Sequence, residues 1–370
     1  MYIKEITLTN FKNYPDIHLE FSEGLNSFIG LNGSGKTNLL DAIYFICMTK
    51  SYFNVTDRQV VNYEEKFYRI ASQLDLRDEP LAIVIKYQNG QKKVVEKNKV
   101  AYTKLAEHVG LLPIVMIAPD DIKLIQDSGE VRRKFMDNVL CQDDAVYLQH
   151  LMTYNHLIKQ RNAALKEIRK SNQFDPAIIG IYDKQLEEPA TYIHEKRAAF
   201  LDAFLPVFKG VYSVISDGTE AVNIEYKSHL NNLDYKTLLS STFEKDFYLE
   251  YTSTGTHRDD LVFVFSSKAL KKFASQGQRK SFLISLKLAQ YEFLRRKKNI
   301  KPILLLDDIF DKLDAERVSK VINLLQEETF GQVFITDTDE KRISKVLENM
   351  DKPHQKYMVN ADKIEIYESA

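Results

Sequence analysis

The chain has 370 residues, 44% of them hydrophobic and 28% charged, with a formal net charge of −1. That composition belongs to a globular chain with room for two or three domains. It excludes disorder as the dominant state, and the near-neutral charge gives no global case for nucleic-acid binding. The two cysteines, Cys47 and Cys141, both lie in apolar, helix-like surroundings and read as reduced core thiols of a cytoplasmic protein. The N-terminus lacks the apolar core of a signal peptide, and no apolar run approaches the ~18 residues a membrane span needs, so no membrane association is expected.

The opening stretch MYIKEITLTNF alternates polar and apolar residues as a strand does. Leu25 to Ile29 then reads as a buried strand entering Gly30-Leu31-Asn32-Gly33-Ser34-Gly35-Lys36-Thr37, which fits the phosphate-loop pattern G-x-x-x-x-G-K-[ST]. The pattern places glycine where backbone N–H groups turn onto phosphate oxygens, lysine as a point charge for the β and γ phosphates, and a hydroxyl to ligate Mg²⁺. Gly30, Gly35, Lys36 and Thr37 fill those roles, with Leu31, Asn32, Gly33 and Ser34 completing the loop. Leu39, Leu40, Ile43, Ile46 and Cys47 predict a helix from Asn38 to Thr49 whose N-terminus faces the phosphates. Strand, loop and helix in this order predict a nucleoside triphosphate site.

Residues Glu130 to Lys170 carry Leu151, Tyr154, Ile158, Leu165 and Ile168 at heptad-like spacing interrupted by Arg161, and a returning segment has Leu186, Ile193 and Phe200 seven apart. These predict a short helical arm, with Pro189 marking a kink or break. Gly255 to Asp260 is turn-like and precedes a strand, Leu261 to Phe265. Ser275-Gln276-Gly277-Gln278-Arg279-Lys280 opens an amphipathic helix with Phe282, Leu286, Ala289 and Phe293 on one face. Such a start offers free N–H donors and a positive dipole end to an anion, and equally reads as an ordinary N-cap.

Pro302 to Asp308, PILLLDD, has the character of a strand buried on both faces and ending in two carboxylates. Beside the phosphate loop it reads as a Walker B strand, with Asp307 as the Mg²⁺ partner and Asp308 placed to orient or polarise an attacking water. A further apolar strand, Gln332 to Thr336, ends in Thr336-Asp337-Thr338. No Cys/His cluster has metal-ligand spacing, so Mg²⁺ bound with the nucleotide is the only metal expected.

Ser275 to Gln278 resembles the signature of the ABC ATPase superfamily in its S-x-G-Q form, and Asp311-Lys312-Leu313-Asp314 resembles its D-loop. In that superfamily the signature of one subunit reaches the γ-phosphate held by the phosphate loop of another. The resemblance therefore implies that Ser275, Gly277 and Gln278 bind nucleotide across a homodimer. Thr336 stands where many members carry a switch histidine, and its γ-phosphate contact is an open alternative. The gap from Lys36 to Ser275 is longer than in transporter subunits and too short for the coiled coil of SMC proteins.

Within the superfamily the chain resembles the RecF family. The likeness is carried by Leu8 to Tyr14, the phosphate loop, Ala118-Pro119-Asp120-Asp121-Ile122-Lys123-Leu124-Ile125 and Arg132-Arg133-Lys134-Phe135-Met136-Asp137. It continues through Gly255-Thr256-His257-Arg258-Asp259-Asp260-Leu261, Ser275 to Lys280, and Leu305 to Asp308. The chain departs from the family pattern at Thr256, where proline is usual, at Arg279-Lys280, where Gln-Arg is usual, and in Lys50-Ser51-Tyr52-Phe53, which lacks the arginine usual after the aromatic position.

Together these pieces predict an α/β fold: an ABC-type P-loop ATPase head from residues 1–118 plus 250–370, its two Walker strands adjacent, with a helical lobe or arm inserted at 119–249. The resemblance implies a slow ATPase switch that binds ATP and Mg²⁺ and dimerises on single-stranded DNA or gapped duplex. Such a switch works with RecR and RecO to load RecA in recombinational repair, replication and the SOS response. The competing expectation is an ABC ATPase that regulates a protein partner without touching DNA. A fused nuclease is not expected after Thr338.

Several residues have two readings. Lys12 is either a phosphate ligand, as the basic residue at this place is in SMC-like heads, or a solvated loop lysine. His257 and Arg258 either reach nucleotide or a partner subunit, or brace their turn by pairing with Asp259 or Asp260. The basic runs at Lys92-Lys93, Lys97-Lys99, Arg132-Arg133-Lys134, Lys268-Lys271-Lys272 and Arg295 to Lys298 are either solvated faces or a stripe for DNA phosphates.

Overall fold

The helix after the phosphate loop, Lys36–Met48, has no exposed face, and every residue from Leu39 to Met48 is buried. A helix that is apolar all round has to be covered on all sides. Two six-stranded sheets do this in the computed structural model, which describes residues 1–171, 176–310, 315–347, 352–360 and 363–369.

The first sheet is antiparallel, in the order Tyr14–Glu20, Tyr2–Phe11, Phe67–Leu76, Glu79–Gln88, Val94–Lys97, Val100–Ala101. The second has the order Lys363–Ser369, His354–Asn360, Leu25–Ile29, Val333–Asp337, Ile303–Asp307, Ile114–Ile117, and all but its first strand run parallel. The helix touches strands of both sheets, and the three form one hydrophobic core. Each fully buried Leu, Ile or Phe in such a core contributes about 1.5–3 kcal/mol relative to exposure.

Gln332, immediately before an interior strand of the second sheet, stitches that sheet to the first: its Oε1 accepts from Ile3 N at 2.8 Å, and its Nε2 donates to the carbonyls of Ile3 and Ser22, each at 2.8 Å. An aromatic group of Phe21, Phe28, Phe334 and Tyr357 fills the layer beside it, with the rings of Phe28 and Tyr357 stacked at 4.8 Å.

The two Walker strands are not neighbours. Val333–Asp337 lies between Leu25–Ile29 and Ile303–Asp307, pairing Thr336 with Phe28 on one side and with Asp307 on the other. The expectation of adjacency fails because an apolar strand late in the chain can enter a parallel sheet at any slot, and local pattern does not specify which.

The backbone divides into two units. The first comprises Met1–Asp121, Val214–Ser216 and Lys280–Ala370; the second comprises Ile122–Ser213 and Asp217–Arg279. Residues 250–279 belong to the second unit, where the sequence puts them with the head, because Asp260–Phe265 pairs along its length with Val222–Lys227 and with Lys268–Ala269. The lobe is therefore helical with a small antiparallel sheet.

The helices of the second unit are chiefly Gly129–Asp143, Ala145–Ser171, Pro176–Ser216 and Tyr235–Leu249. Pro189 breaks nothing; it and Pro206 both lie inside the helix Pro176–Ser216. The predicted stripe of Tyr154, Ile158, Leu165, Ile168, Leu186, Ile193 and Phe200 is buried, with Leu151 half-buried.

Ala177–Ser216 is long and apolar enough to cross a membrane by length and composition, which the sequence expectation denied. Counting consecutive apolar residues missed it because Asp202 and Lys209 interrupt the run. Phe200, Phe204, Phe208 and Tyr212 form a buried stripe of touching rings along it, a pattern that a core helix also has.

The second unit has a charged interior. Arg197, 1% exposed, donates to Asp137 (2.8 Å), Asp259 (2.7 Å), the Thr256 carbonyl (2.7 Å) and the Tyr147 hydroxyl (3.1 Å). Arg161, fully buried, pairs with Asp183 at 2.6 Å and Asp246 at 2.8 Å and donates to Thr252 at 2.9 Å. Removing one partner from such a group strands the others without solvent. Arg197→Ala is accordingly expected to lower stability by about 3–5 kcal/mol, read from the urea midpoint of the full chain.

Candidate nucleotide site

Leu25–Ile29 is buried at every position and delivers the chain to the loop at Gly30. A Cβ at Gly30 would lie 2.2 Å from the Val359 carbonyl oxygen, so the strand His354–Asn360 requires glycine there. Gly35 caps the helix with φ 105°, and a Cβ there would come within 2.5 Å of Asn13 Nδ2 and 2.7 Å of the Tyr14 hydroxyl. Leu31, Asn32 and Gly33 form the exposed crest of the loop, and Ser34 and Lys36 are buried beneath it.

The chemistry of the loop fits an anion. No side chain caps the start of the helix, leaving its first N–H groups available. The Ser34 hydroxyl is buried without a partner. Lys36 Nζ donates to the carbonyls of Gly30 (2.8 Å) and Leu31 (3.0 Å), which holds a cationic end at the loop. The turn between the first two strands supports the loop from outside: Tyr14 OH donates to the Gly35 carbonyl at 3.0 Å, and Asn38 donates to Asn13 at 2.7 Å. Asn13 and Tyr14 enter the sequence only as part of a family resemblance, and nothing local in their pattern points to the loop.

Asp307, 3% exposed, lies where two hydroxyls converge. Thr37 Oγ1 is 3.0 Å from both carboxylate oxygens, and Thr336 Oγ1 donates to Oδ1 at 2.8 Å. Burial raises the Asp307 pKa, and neighbouring Asp308 adds to that, while the Thr336 and Thr37 hydroxyls and Lys36 oppose it. A divalent cation at Asp307 and Thr37 would fit this donor set of hard oxygens. Thr336 also accepts from the Asp308 backbone N–H at 3.0 Å. Asp308 has φ 44°, a left-handed conformation that costs energy for a residue with a Cβ and that this hydrogen bond helps to hold. Thr336 therefore bridges both carboxylate positions, and its strand, between the two Walker strands, puts it there.

Lys12 is neither a solvated loop residue nor free to move. Its Nζ pairs at 2.6 Å with Asp41, which is fully buried and also accepts from Ser51 Oγ (2.7 Å) and Tyr52 N (2.8 Å). A lone carboxylate in the apolar run Leu39 to Met48 is the sequence signal for such a partner. Asp121, from the Ala118–Ile125 segment, has a comparable role: it accepts from Ala118 N at 2.8 Å and from the Tyr52 hydroxyl, and pairs with the buried Lys287 at 3.1 Å.

Ser275 and Gln278 form a reciprocal capping box. Gln278 N donates to Ser275 Oγ at 3.2 Å and Ser275 N donates to Gln278 Oε1 at 2.8 Å, at the start of the helix Gln276–Lys298. The N-cap reading is thus realised in the geometry. Gln278 Nε2 further donates to Glu220 at 2.9 Å. Ser275 and Gln276 are exposed and Gly277 is half-buried. The D-loop candidate Asp311-Lys312-Leu313-Asp314 lies outside the described residues.

His257 and Arg258 brace their turn by contacts other than pairing with Asp259 or Asp260. His257 Nε2 lies 2.9 Å from the Thr252 carbonyl, so it carries the proton, and Nδ1 accepts from Tyr154 OH at 2.7 Å. Arg258 reaches the Thr252 carbonyl and stacks on Tyr251. Asp260 is held instead by Arg132 through two bonds of 2.7 and 2.9 Å, and the Asp259 carbonyl by Arg133 at 2.6 Å. The basic runs are thereby thinned: Arg132 and Arg133 are engaged, Arg295 and Arg296 pair with Glu292, and Lys93 pairs with Asp57. Lys92, Lys99 and Lys272 are exposed and carry no ion pair among the described residues.

Fold and site together define a P-loop ATPase head of the SMC-like class. The sequence model of the RecF/RecN/SMC N terminal domain matches residues 2–364. The DNA replication and repair protein RecF of Flavobacterium johnsoniae is 45% identical over 97% of this chain and 99% of its own length. That of Cytophaga hutchinsonii is 40% identical over 99% and 97%. The solved structure of the recombination mediator protein RecF with ATP in the RecFOR pathway superposes with a TM-score of 0.89 at 27% identity, covering 99% of this chain and 98% of the other. An Smc head domain from Pyrococcus furiosus shares the fold at a TM-score of 0.58 and 16% identity. The chain belongs to the RecF family.

Burial lowers the His257 pKa from 6.5 to about 4. A depressed base is neutral in the folded state, so its contribution is complete above pH 6.5 and is lost as pH falls toward 4, where the unfolded imidazole takes up a proton and the folded one does not. The expected loss is about 3 kcal/mol. The difference in urea stability between the wild type and His257→Gln, followed from pH 7 to pH 4.5, should shrink by an amount of that order.

Proposed function

We propose that this chain is a DNA replication and repair protein that binds ATP with Mg²⁺ and acts as an ATP-controlled homodimer on DNA. The single observation that carries the nucleotide site is the chain of contacts Thr37–Asp307–Thr336–Asp308 N beside the glycine cradle and the orphan Ser34 hydroxyl. The ATP-bound relative supports the same reading.

In this reading the backbone N–H groups of Gly33 to Thr37, with Ser34 Oγ, bind the phosphates, and Lys36 supplies the cationic contact. Thr37 and Asp307 hold Mg²⁺, which when bound neutralises charge on the phosphate oxygens. Asp308 orients the attacking water and accepts its proton, and its pinned backbone keeps the carboxylate from drifting out of reach. Ser275, Gly277 and Gln278 meet the nucleotide of the other subunit, so that ATP closes the dimer and hydrolysis reopens it. Lys12 supports the site through Asp41 and Tyr52.

DNA, single-stranded or as a gapped duplex, is the nucleic-acid partner in this proposal, with RecR and RecO as protein partners. The RecFOR pathway of the structural relative supports that assignment.

Four variants separate the steps when mass in solution is measured with and without ATP·Mg²⁺ and a gapped duplex. Lys36→Ala is expected to lose ATP binding. Asp308→Asn should hold an ATP-bound dimer on DNA. Ser275→Arg should bind ATP yet remain a monomer, while Ser275→Ala, which loses the cap (about 1 kcal/mol of helix stability) and the hydroxyl's contact to the partner's nucleotide but adds no bulk, should dimerise more weakly than the wild type. Normal dimerisation by Ser275→Arg would refute the shared site. A dimer that ignores DNA at all salt concentrations would move the function to a protein partner.

A further inference from the structure

The first hairpin carries a second donor cluster on its outer face. The register pairs Glu5 with Glu20 and Thr7 with His18, which puts all four side chains on one side of the two strands, while Ile6 and Leu8 on the other side enter the core. His18 Nδ1 lies 3.1 Å from Thr7 Oγ1. Its Nε2 is 3.9 Å from Glu5 Oε2 and 3.9 Å from Glu20 Oε1, and one ligand atom from each of the three residues lies within 4.8 Å of the others.

These distances are too long for hydrogen bonds and suit a bridging ion. Donors bound tetrahedrally at about 2.0–2.2 Å stand about 3.3 Å apart, a separation that small side-chain rotations of Glu5 and Glu20 reach. Two carboxylates directly opposite in an antiparallel ladder repel each other. Among the described residues, His18 is the only basic group within ion-pair distance of either. Thr7 fixes the imidazole by the nitrogen that does not face the carboxylates, as the outer partner of a metal-bound histidine does. The mixed nitrogen and oxygen set selects a borderline transition ion over Mg²⁺ or Ca²⁺.

We propose that Glu5, His18 and Glu20 form a Zn²⁺-class divalent metal site, with water completing the coordination. The site is separate from the nucleotide cation site at Thr37 and Asp307, and its ion would cross-link the two strands whose turn supports Gly35 through Tyr14.

Zn²⁺ is titrated by calorimetry into the untagged, nucleotide-free full chain with Mg²⁺ in excess, and Co²⁺ absorption reports the nitrogen ligand. One equivalent is expected to bind, with affinity reduced at least about tenfold in His18→Ala and in Glu20→Gln. His156→Ala, an exposed histidine elsewhere, serves as the control and should bind as the wild type does. Circular dichroism melts establish that each variant is folded, and ATP binding by His18→Ala should be unchanged. Failure of the wild type to take up Zn²⁺ at about 100 μM, or equal binding by folded His18→Ala, would overturn the assignment.

Discussion

A helix with no polar face governs the first unit. Lys36–Met48 buries ten consecutive residues from Leu39 onward, and neither one sheet nor solvent is able to satisfy it. Covering it requires strands from both ends of the chain: Leu25–Ile29 pairs with Val333–Asp337 and His354–Asn360, while Tyr2–Phe11 and Phe67–Leu76 close the other side. The helix N-terminus is consequently fixed at the edge where the parallel strands end. Its uncapped N–H groups, Lys36 and Thr37 are positioned by the same burial that stabilises the core. Even Asp41, the carboxylate within this run, is accommodated by drawing in Lys12 from the first hairpin turn.

The site then depends on what stands between the Walker strands. Thr336 occupies the middle strand and hydrogen-bonds to Asp307 and to the Asp308 backbone at once. Burial alone would favour protonated Asp307; two hydroxyls and Lys36 act against it, and a bound cation would complete the reversal. Asp308 is held in a left-handed conformation that an isolated turn would avoid. The strained backbone of Asp308 and the buried carboxylate of Asp307 thus stand side by side where the proposed chemistry needs a carboxylate and a cation ligand in fixed register.

The second unit spends its charges differently. Arg161 and Arg197 are buried among aspartates and backbone carbonyls, and Arg132 and Arg133, which belong to a basic run in the sequence, hold the turn after Gly255. His257 is neutral because burial removes the solvation its charged form needs. The residues of this lobe that most resemble functional groups in sequence are those whose polar atoms organise its interior.

The sequence by itself determined the local elements whose chemistry is contiguous. The phosphate loop needs glycine, lysine and threonine at set spacing, the Walker B strand must be apolar and end in carboxylates, and Ser275 with Gln278 specifies a cap three residues apart. Period-seven apolar positions likewise marked the arm helices, since side chains a turn apart share a face. Only the tertiary structure decided the slot of Val333–Asp337 between the Walker strands, and with it the bridging role of Thr336. It also decided the attachment of residues 250–279 to the lobe, the continuity of a helix through Pro189, the partners of Lys12 and His257, and the meeting of Glu5, His18 and Glu20 across a hairpin. Each depends on strand pairing or burial between residues far apart in the chain, and the free energy of those contacts is set by what surrounds a residue, which its neighbours in sequence do not encode.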